Sequence, residues 1–358
     1  MSLQIEWLNI PVAEINHDIL HLAKNRQAIL TKPAGSLGRL EDIAIKIASM
    51  QGNSKPDISR IQCSIFAADH GIATEGVSAF PQIVTGEMIR NFSSGGAAIC
   101  VLSRAIGANL EVLNLGTINE LGALKNVKNC TLGPGTENFV KEPAMNEQQL
   151  SRAIHTGRQA VERAKLEDYQ LFIGGEMGIA NTSSATAIAC ALLEIAPEKL
   201  AGPGTGLDKQ AVSNKAQIIL KGLNLHKAEM KTPLDILRCV GGFEIAALVG
   251  AYISCAQIGI PALVDGYIST ISALLADRIL PGVNKWLLFS HASAEPGHQI
   301  ILNALNAKPL LDLNMRLGEG SGAATTVPLL QLACKLHNEM ASFTEASVSN
   351  KDLMESCS

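Results

Sequence analysis

Five short apolar runs along the chain end abruptly in glycine or polar residues. Fully apolar segments of this length are typical of strands buried on both faces of a sheet. Longer stretches rich in Ala, Leu and Ile separate them and have the length of helices. The apolar runs are Gln62–Ala68, Leu110–Leu115, Tyr169–Ile173, Pro261–Val264 and Trp286–Phe289, and the helical stretches include 184–195, 208–223, 243–257 and 298–306.

The alternation predicts an α/β fold with a mostly parallel, doubly wound (Rossmann-like) sheet. In such folds the ligand crevice lies beyond the carboxyl ends of the strands, so the polar residues after the apolar runs should line it. Helical patterns over the first thirty residues and over 323–343 lie outside this alternation. We predict a large α/β catalytic domain over 30–310 and a small helical subdomain from 1–29 plus 311–358.

One apolar stretch is long enough to cross a bilayer. Twenty uncharged residues lie between Glu244 and Asp265, and about twenty suffice for a span. Glutamine, glycine and proline interrupt the last third of the stretch. The pattern therefore favours a buried helix over 243–257, a turn and a core strand ending at Asp265.

Composition and charge narrow the class of protein. The chain has 358 residues, of which 47% are hydrophobic and 17% charged, as expected of a globular enzyme with a large core. A net charge of −4 without a basic stripe argues against nucleic-acid binding. Eight widely spaced cysteines fit no zinc pattern and indicate reduced thiols. The charged N-terminal segment is unlike a signal peptide, so we predict a cytoplasmic protein without a membrane span.

Three loops carry groups suited to a phosphate or a ribose. GEMGIANTSS (175–184) joins a strand to an alanine-rich helix, GPGTGLD (202–208) precedes a helix that contains Lys215, and SHASAEPGH (290–298) follows the last strand. Each also has a simpler interpretation: a capped turn, a lysine that reaches solvent, and a helix that starts at His298. The glycines match neither a GxGxxG fingerprint nor a Walker A loop.

Glu319 stands between two glycines in LGEGSGA, residues 317–323. No neighbouring side chain would crowd its carboxylate, so a substrate could lie against it. Partial desolvation would raise its pKa toward neutrality, as a general base requires. The alternative is a solvated glycine turn whose glutamate has no role.

In chain order over about 30–348, these motifs together resemble the nicotinate-nucleotide–dimethylbenzimidazole phosphoribosyltransferase family of cobalamin lower-ligand synthesis. Ala34, Ala180 and Pro203 depart from the family pattern, in which proline, glycine and a basic residue are common at these places. Besides the loops above, the matching segments are TKPAGSLGRLE (31–41), ADHG (68–71), EGVSAFPQ (75–82), GGAA (95–98), GGFEIA (241–246), VDG (264–266) and DLNMRLGEGSG (312–322).

The resemblance implies transfer of the phosphoribosyl group of nicotinate mononucleotide to 5,6-dimethylbenzimidazole, with inversion at C1′. The products would be α-ribazole 5′-phosphate and nicotinate, in the nucleotide-loop step of cobalamin biosynthesis. Glu319 would be the catalytic base, with Glu176 as the next candidate. The phosphate and ribose would be held by Gly175, Glu176, Gly178, Asn181, Thr182, Lys215, Asp265, Ser290 and Ser293, and the benzimidazole by Ser78, Phe80, Gln82, Met315 and Leu317.

This chemistry needs few groups. The pyridinium at C1′ leaves with the bonding electrons and needs no general acid, and one carboxylate suffices to take the proton of the attacking azole. The resemblance implies no cofactor and no metal, and a homodimer whose partners are the two small-molecule substrates. Two alternatives stay open: a related phosphoribosyltransferase that uses another lower-ligand base, such as a purine or a phenol, and a non-catalytic homologue that binds nucleotides.

Overall fold

The computed structural model describes residues 5–349, which form two compact units. The larger contains Arg60–Thr326 with the N-terminal segment that ends at Ala13, and the smaller contains Glu14–Ser59 with the segment from Val327. The domain limits stated above stay a prediction. Cys357 and the extremes of the predicted small subdomain, 1–4 and 350–358, lie outside the described residues.

The smaller unit is helical. Its helices are α1 (His17–Ile29), α2 (Arg39–Gln51) and the part of a later helix that follows Val327. The side chain of Asn16 caps α1 by accepting a hydrogen bond from the Ile19 N–H at 2.9 Å. The N-terminal helix is therefore shorter than the thirty residues predicted, and among the residues described from Ile5 onward a 3₁₀ turn at Glu6–Asn9 precedes it.

A six-stranded parallel sheet organises the larger unit. Its strands are β1 (Ile61–Ala68), β2 (Asn109–Gly116), β3 (Val127–Asn129), β4 (Leu171–Met177), β5 (Ala262–Val264) and β6 (Leu287–Phe289), in the order β3-β2-β1-β4-β5-β6. This is the doubly wound order, so the predicted fold class is confirmed. The strand order reverses between β1 and β4, which is where such folds bind ligands.

Helices connect the strands of the larger unit, and α9 (Phe243–Ile258) is the most deeply buried of them. All its residues from Phe243 to Ala256 are buried; Gly259, at φ 80°, ends it, and β5 follows. The predicted helix, turn and strand are confirmed, and no helix within residues 5–349 is long and apolar enough to cross a membrane. The helices are α3 (Val84–Ser94), α4 (Ala98–Ala105), α5 (Glu147–Leu166), α6 (Asn181–Leu193), α7 (Lys209–His226), α8 (Pro233–Val240), α9 (Phe243–Ile258), α10 (Tyr267–Ile279), α11 (His298–Ala304) and the start of α12 (Ser321–Glu339).

Two parts of the sheet differ from the prediction. β4 continues to Met177, beyond the predicted end at Ile173, because its two glycines permit close packing and do not turn the chain. A Cβ at Gly175 would lie 2.7 Å from the Glu319 carbonyl carbon, so only glycine fits there. β3 was missed because it is a three-residue edge strand whose side chains are partly or fully exposed, and it has no apolar run.

Ala180 occupies a backbone conformation that favours glycine. It precedes α6 with φ at 75°, in the left-handed region. We expect Ala180→Gly to raise the free energy of unfolding by about 1 kcal/mol, because the Cβ strain disappears. Urea titration would measure this. Ala185→Gly, inside the same helix, is the matched control and should destabilise by about 1 kcal/mol; equal losses in both variants would contradict the strain argument.

Candidate active site

A cavity of about 270 Å³ opens beyond the carboxyl ends of β4 and β5. Its walls come from 176–182, the turn at 204–205, the start of α10 and the loops at 291–295 and 316–318. Seven predicted site residues lie in the walls, namely Phe80, Glu176, Gly178, Asn181, Thr182, Ser293 and Leu317. The cavity walls do not include Ser78, Gln82, Gly175, Lys215, Asp265, Ser290, Met315 or Glu319.

Glu319 is held by its backbone at the start of α12. Its φ is 63°, and its carbonyl packs on Gly175 of β4. Asp265, just after β5, accepts hydrogen bonds from the N–H groups of Gly320 at 3.1 Å and Ala323 at 2.9 Å. The Asp265 carboxylate therefore fixes the loop that presents Glu319.

The Glu319 carboxylate is buried, with 4% of the residue exposed. Burial raises its pKa to about 6; the backbone N–H of Ile99 opposes this rise and the charge of Asp265 adds to it. Within residues 5–349 no group donates a hydrogen bond to its Oε2. A buried carboxylate with a free oxygen and a pKa near neutrality is suited to accept a proton. The alternative of a solvated turn is wrong.

Glu176, at the end of β4, is also buried but differs in its protonation. Burial, with the charges of Asp265 and Glu244 adding to it, raises its pKa to about 8, although the amide of Asn181 donates a hydrogen bond to it. At pH 7 Glu176 therefore carries a proton and Glu319 mostly does not. Two carboxyl groups whose pKa values are separated in this way can serve as donor and base.

Lys215 is 1% exposed, so the interpretation that it reaches solvent is wrong. Its Nζ donates hydrogen bonds to Thr182 Oγ1 at 2.7 Å and to the Gly202 carbonyl at 3.3 Å. Burial lowers its pKa to about 8, against the opposing charge of Glu295. The Lys215 ammonium thus lies directly behind Thr182, a residue of the cavity wall.

The segment 290–298 forms hydrogen bonds within itself and with residues 265 and 270. Ser290 donates its hydroxyl to the Asp265 carbonyl at 3.3 Å. The backbone N–H of Ser293 donates to His298 Nδ1 at 2.7 Å, and His298 Nε2 pairs with Thr270 Oγ1 at 2.9 Å. Burial lowers the pKa of His298 to about 4, so this histidine is neutral and holds the loop. Ser293 remains in the cavity wall.

The residues predicted to line the benzimidazole pocket do not all face the cavity. Phe80 and Leu317 do, and they are 53% and 59% exposed. The Ser78 hydroxyl pairs with Thr205 Oγ1 at 3.1 Å, and the Gln82 amide donates to the carbonyl of His70 at 3.1 Å. The Met315 carbonyl accepts a hydrogen bond from the Ala294 N–H at 3.0 Å.

Among the cavity-wall residues that were not predicted individually, three have an acidic, basic or imidazole side chain. They are His291, Glu295 and Arg316. Glu295 accepts a hydrogen bond from the Gly204 N–H at 3.0 Å, and Arg316 donates to the Gly204 carbonyl at 3.2 Å. All three stand in segments already singled out, and Arg316 is the only cation of the segment 312–322. Within residues 5–349, no three His, Cys, Asp or Glu side chains are grouped to hold a metal ion.

The fold and the site together place the chain among the phosphoribosyltransferases, and residues 12–348 match a family model of that description. The chain belongs to the nicotinate-nucleotide–dimethylbenzimidazole phosphoribosyltransferase family, which confirms the resemblance. The enzyme of that name from Pseudomonas aeruginosa (strain LESB58) is 54% identical over 351 residues, 98% of this chain and 99% of the relative.

Another relative and a solved structure agree with this assignment. The enzyme of the same name from Xanthomonas oryzae pv. oryzae is 55% identical over 325 residues, 91% of this chain and 93% of the relative. The crystal structure of CobT from Thermus thermophilus superposes with a TM-score of 0.89 at 40% identity, over 93% of this chain and 99% of that structure.

Proposed function

We propose that the protein transfers the phosphoribosyl group of nicotinate mononucleotide to 5,6-dimethylbenzimidazole, with inversion at C1′. The names of its relatives state this donor and this acceptor. The observation within the chain that carries the proposal is the Glu319 carboxylate, which is buried, has a pKa of about 6 and keeps one oxygen free of protein partners among the described residues.

The reaction requires one proton acceptor. One nitrogen of the azole attacks C1′ and forms the new N–C bond, while the bond from C1′ to the pyridinium breaks and its electron pair leaves with nicotinate. The second azole nitrogen loses its proton to Glu319. Attack from the face opposite the leaving ring converts the β-nucleotide into the α-nucleotide, as in inverting glycosyl transfer.

The nucleotide would occupy the cavity beyond β4 and β5. We place its phosphate near Thr182 of the cavity wall and the buried Lys215, whose Nζ lies 2.7 Å from Thr182 Oγ1. Glu176, protonated at pH 7, would donate a hydrogen bond to a ribose or phosphate oxygen. The azole ring would lie against Phe80 and Leu317, two exposed apolar side chains of the cavity wall.

The pH dependence should show two limbs. The value of kcat/KM should rise up to about pH 6, as Glu319 ionises, and fall above about pH 8, as Glu176 loses its proton. Initial rates between pH 5 and 9 would measure this, for the wild type and for Glu176→Gln, which cannot ionise. An alkaline limb that persists in Glu176→Gln would belong to Lys215, whose pKa is also about 8, and would contradict the role of Glu176.

A direct assay tests the function. Purified protein would be incubated with nicotinate mononucleotide and a panel of benzimidazoles and purines, and the products separated by chromatography. We expect α-ribazole 5′-phosphate and nicotinate in equal amounts from 5,6-dimethylbenzimidazole. If no acceptor gave an α-nucleotide, the proposed function would be wrong.

We also propose that the enzyme is a cytoplasmic homodimer. Seven described cysteines are free thiols, as is usual in a reducing compartment. Exposed apolar side chains outside the cavity wall, such as Ile83, Val101 and Ile118, are surface that a second copy would cover. Light scattering should give twice the chain mass of 37.8 kDa.

A further inference from the structure

His70 is the centre of a buried hydrogen-bonded cluster that the proposed chemistry does not use. It follows β1, and its Nε2 lies 2.7 Å from Glu244 Oε1, near the start of α9. Its Nδ1 lies 3.0 Å from the hydroxyl of Ser184 in the first turn of α6. His70, Ser184 and Glu244 are all fully buried.

This serine, histidine and glutamate do not form a nucleophilic triad. A nucleophile must reach its substrate, and none of the three side chains has any exposed surface. The cluster instead fixes the imidazole ring from two sides. A carboxylate can only accept, so Nε2 donates to Glu244, and the Ser184 hydroxyl pairs with the other ring nitrogen.

His70 contacts residues proposed to bind each substrate. A Cβ at Gly178 would lie 3.2 Å from His70 Nε2 and 2.5 Å from the Ala68 carbonyl, so the chain after β4 packs directly on the ring. The carbonyl of His70 accepts a hydrogen bond from the Gln82 amide at 3.1 Å. Gly178 belongs to the proposed nucleotide site and Gln82 to the proposed benzimidazole site.

We infer that His70 is a positioning residue that sets the separation of the two bound substrates. The inference rests on the proposed function. The azole nitrogen must approach C1′ to about 3–3.5 Å, and a misplacement of about 1 Å can lower a rate about 10²-fold. The imidazole fixes the ends of β1 and β4 at the point where the strand order reverses, and both substrates are held from those ends.

Steady-state kinetics of four variants test the inference. His70→Ala removes both hydrogen bonds, and we expect kcat to fall about 10²-fold while the KM of each substrate stays near the wild-type value. His70→Gln retains a donor toward Glu244 and should recover about tenfold of that loss. Ser184→Ala removes one partner and, being a milder change, tests the inference if His70→Ala does not fold; its kcat should fall about tenfold.

His226→Gln is the matched control, since His226 is also buried and its Nε2 bonds the Phe139 carbonyl at 2.8 Å, in α7 away from the cavity. It should keep the wild-type kcat. Wild-type kcat in both His70→Ala and Ser184→Ala would overturn the inference, as would a loss confined to KM or an equal kcat loss in His226→Gln. A wild-type enzyme that forms no α-nucleotide would instead refute the proposed function.

Discussion

Glu319→Gln should lower turnover by about 10²–10⁴-fold, the usual contribution of a general base, while the affinity for nicotinate mononucleotide stays near that of the wild type. Glutamine keeps the shape of the side chain but cannot accept the azole proton. Single-turnover kinetics with titration calorimetry would separate the two quantities. The acid limb of the pH profile should disappear with the carboxylate.

Glu111→Gln is the control for neutralising a buried glutamate. Glu111 lies on β2, away from the cavity, and its carboxylate pairs with Arg163 at 3.0 Å and Lys128 at 2.8 Å. We expect this variant to lose stability but to keep its turnover. Wild-type turnover in Glu319→Gln would reassign the base, with Glu176 as the next candidate.

Asp265→Asn should lower kcat by about 10²-fold without any direct loss of a reacting group. Asparagine offers one oxygen in place of two, so either the Gly320 or the Ala323 N–H loses its acceptor. The stability cost should be about 1–3 kcal/mol. Because the loop would then move relative to β4, Glu319 would no longer be held against the azole.

Asp277 provides a matched control for Asp265. Its Oδ1 also accepts two backbone hydrogen bonds, from Gly282 at 3.1 Å and Asn284 at 3.0 Å, in the turn after α10. Asp277→Ala, which removes that oxygen, should destabilise the protein by a comparable amount and leave kcat unchanged. If the two variants lost stability and activity in parallel, the catalytic effect of Asp265 would be a consequence of unfolding alone.

The sheet could be predicted because most of its strands are largely apolar runs that end in glycine or polar residues. β1, β2, β5 and β6 were located in this way, and they brought the correct polar tails to one edge. The prediction from apolar runs failed at the end of β4, where the close packing of two glycines determines the structure. Gly174 and Gly175 look like a turn in the sequence, yet they extend β4 because neighbouring atoms leave no room for a Cβ.

The candidate site could be located but not assigned in detail. The loops were found because glycine, hydroxyl and acidic residues cluster after strands. The bonds within them could not be predicted, since they depend on distances across the sheet. Ser290 and Asp265 were predicted as nucleotide ligands. In the structure the Ser290 hydroxyl donates a hydrogen bond to a main-chain carbonyl, and the Asp265 carboxylate accepts hydrogen bonds from two main-chain N–H groups. Their roles toward the nucleotide stay predictions.

The hydrogen bonds of Asp265 determine which substitutions the loop that presents Glu319 can accept. Asp265 recognises two main-chain N–H groups and no side chain of the loop. A replaced side chain at position 323 would leave both hydrogen bonds available, provided that it fits the core. Residue 265 is therefore constrained to remain an aspartate, whereas the side chains of the loop can change. A loop transferred from a relative should bind the same carboxylate through its main-chain N–H groups.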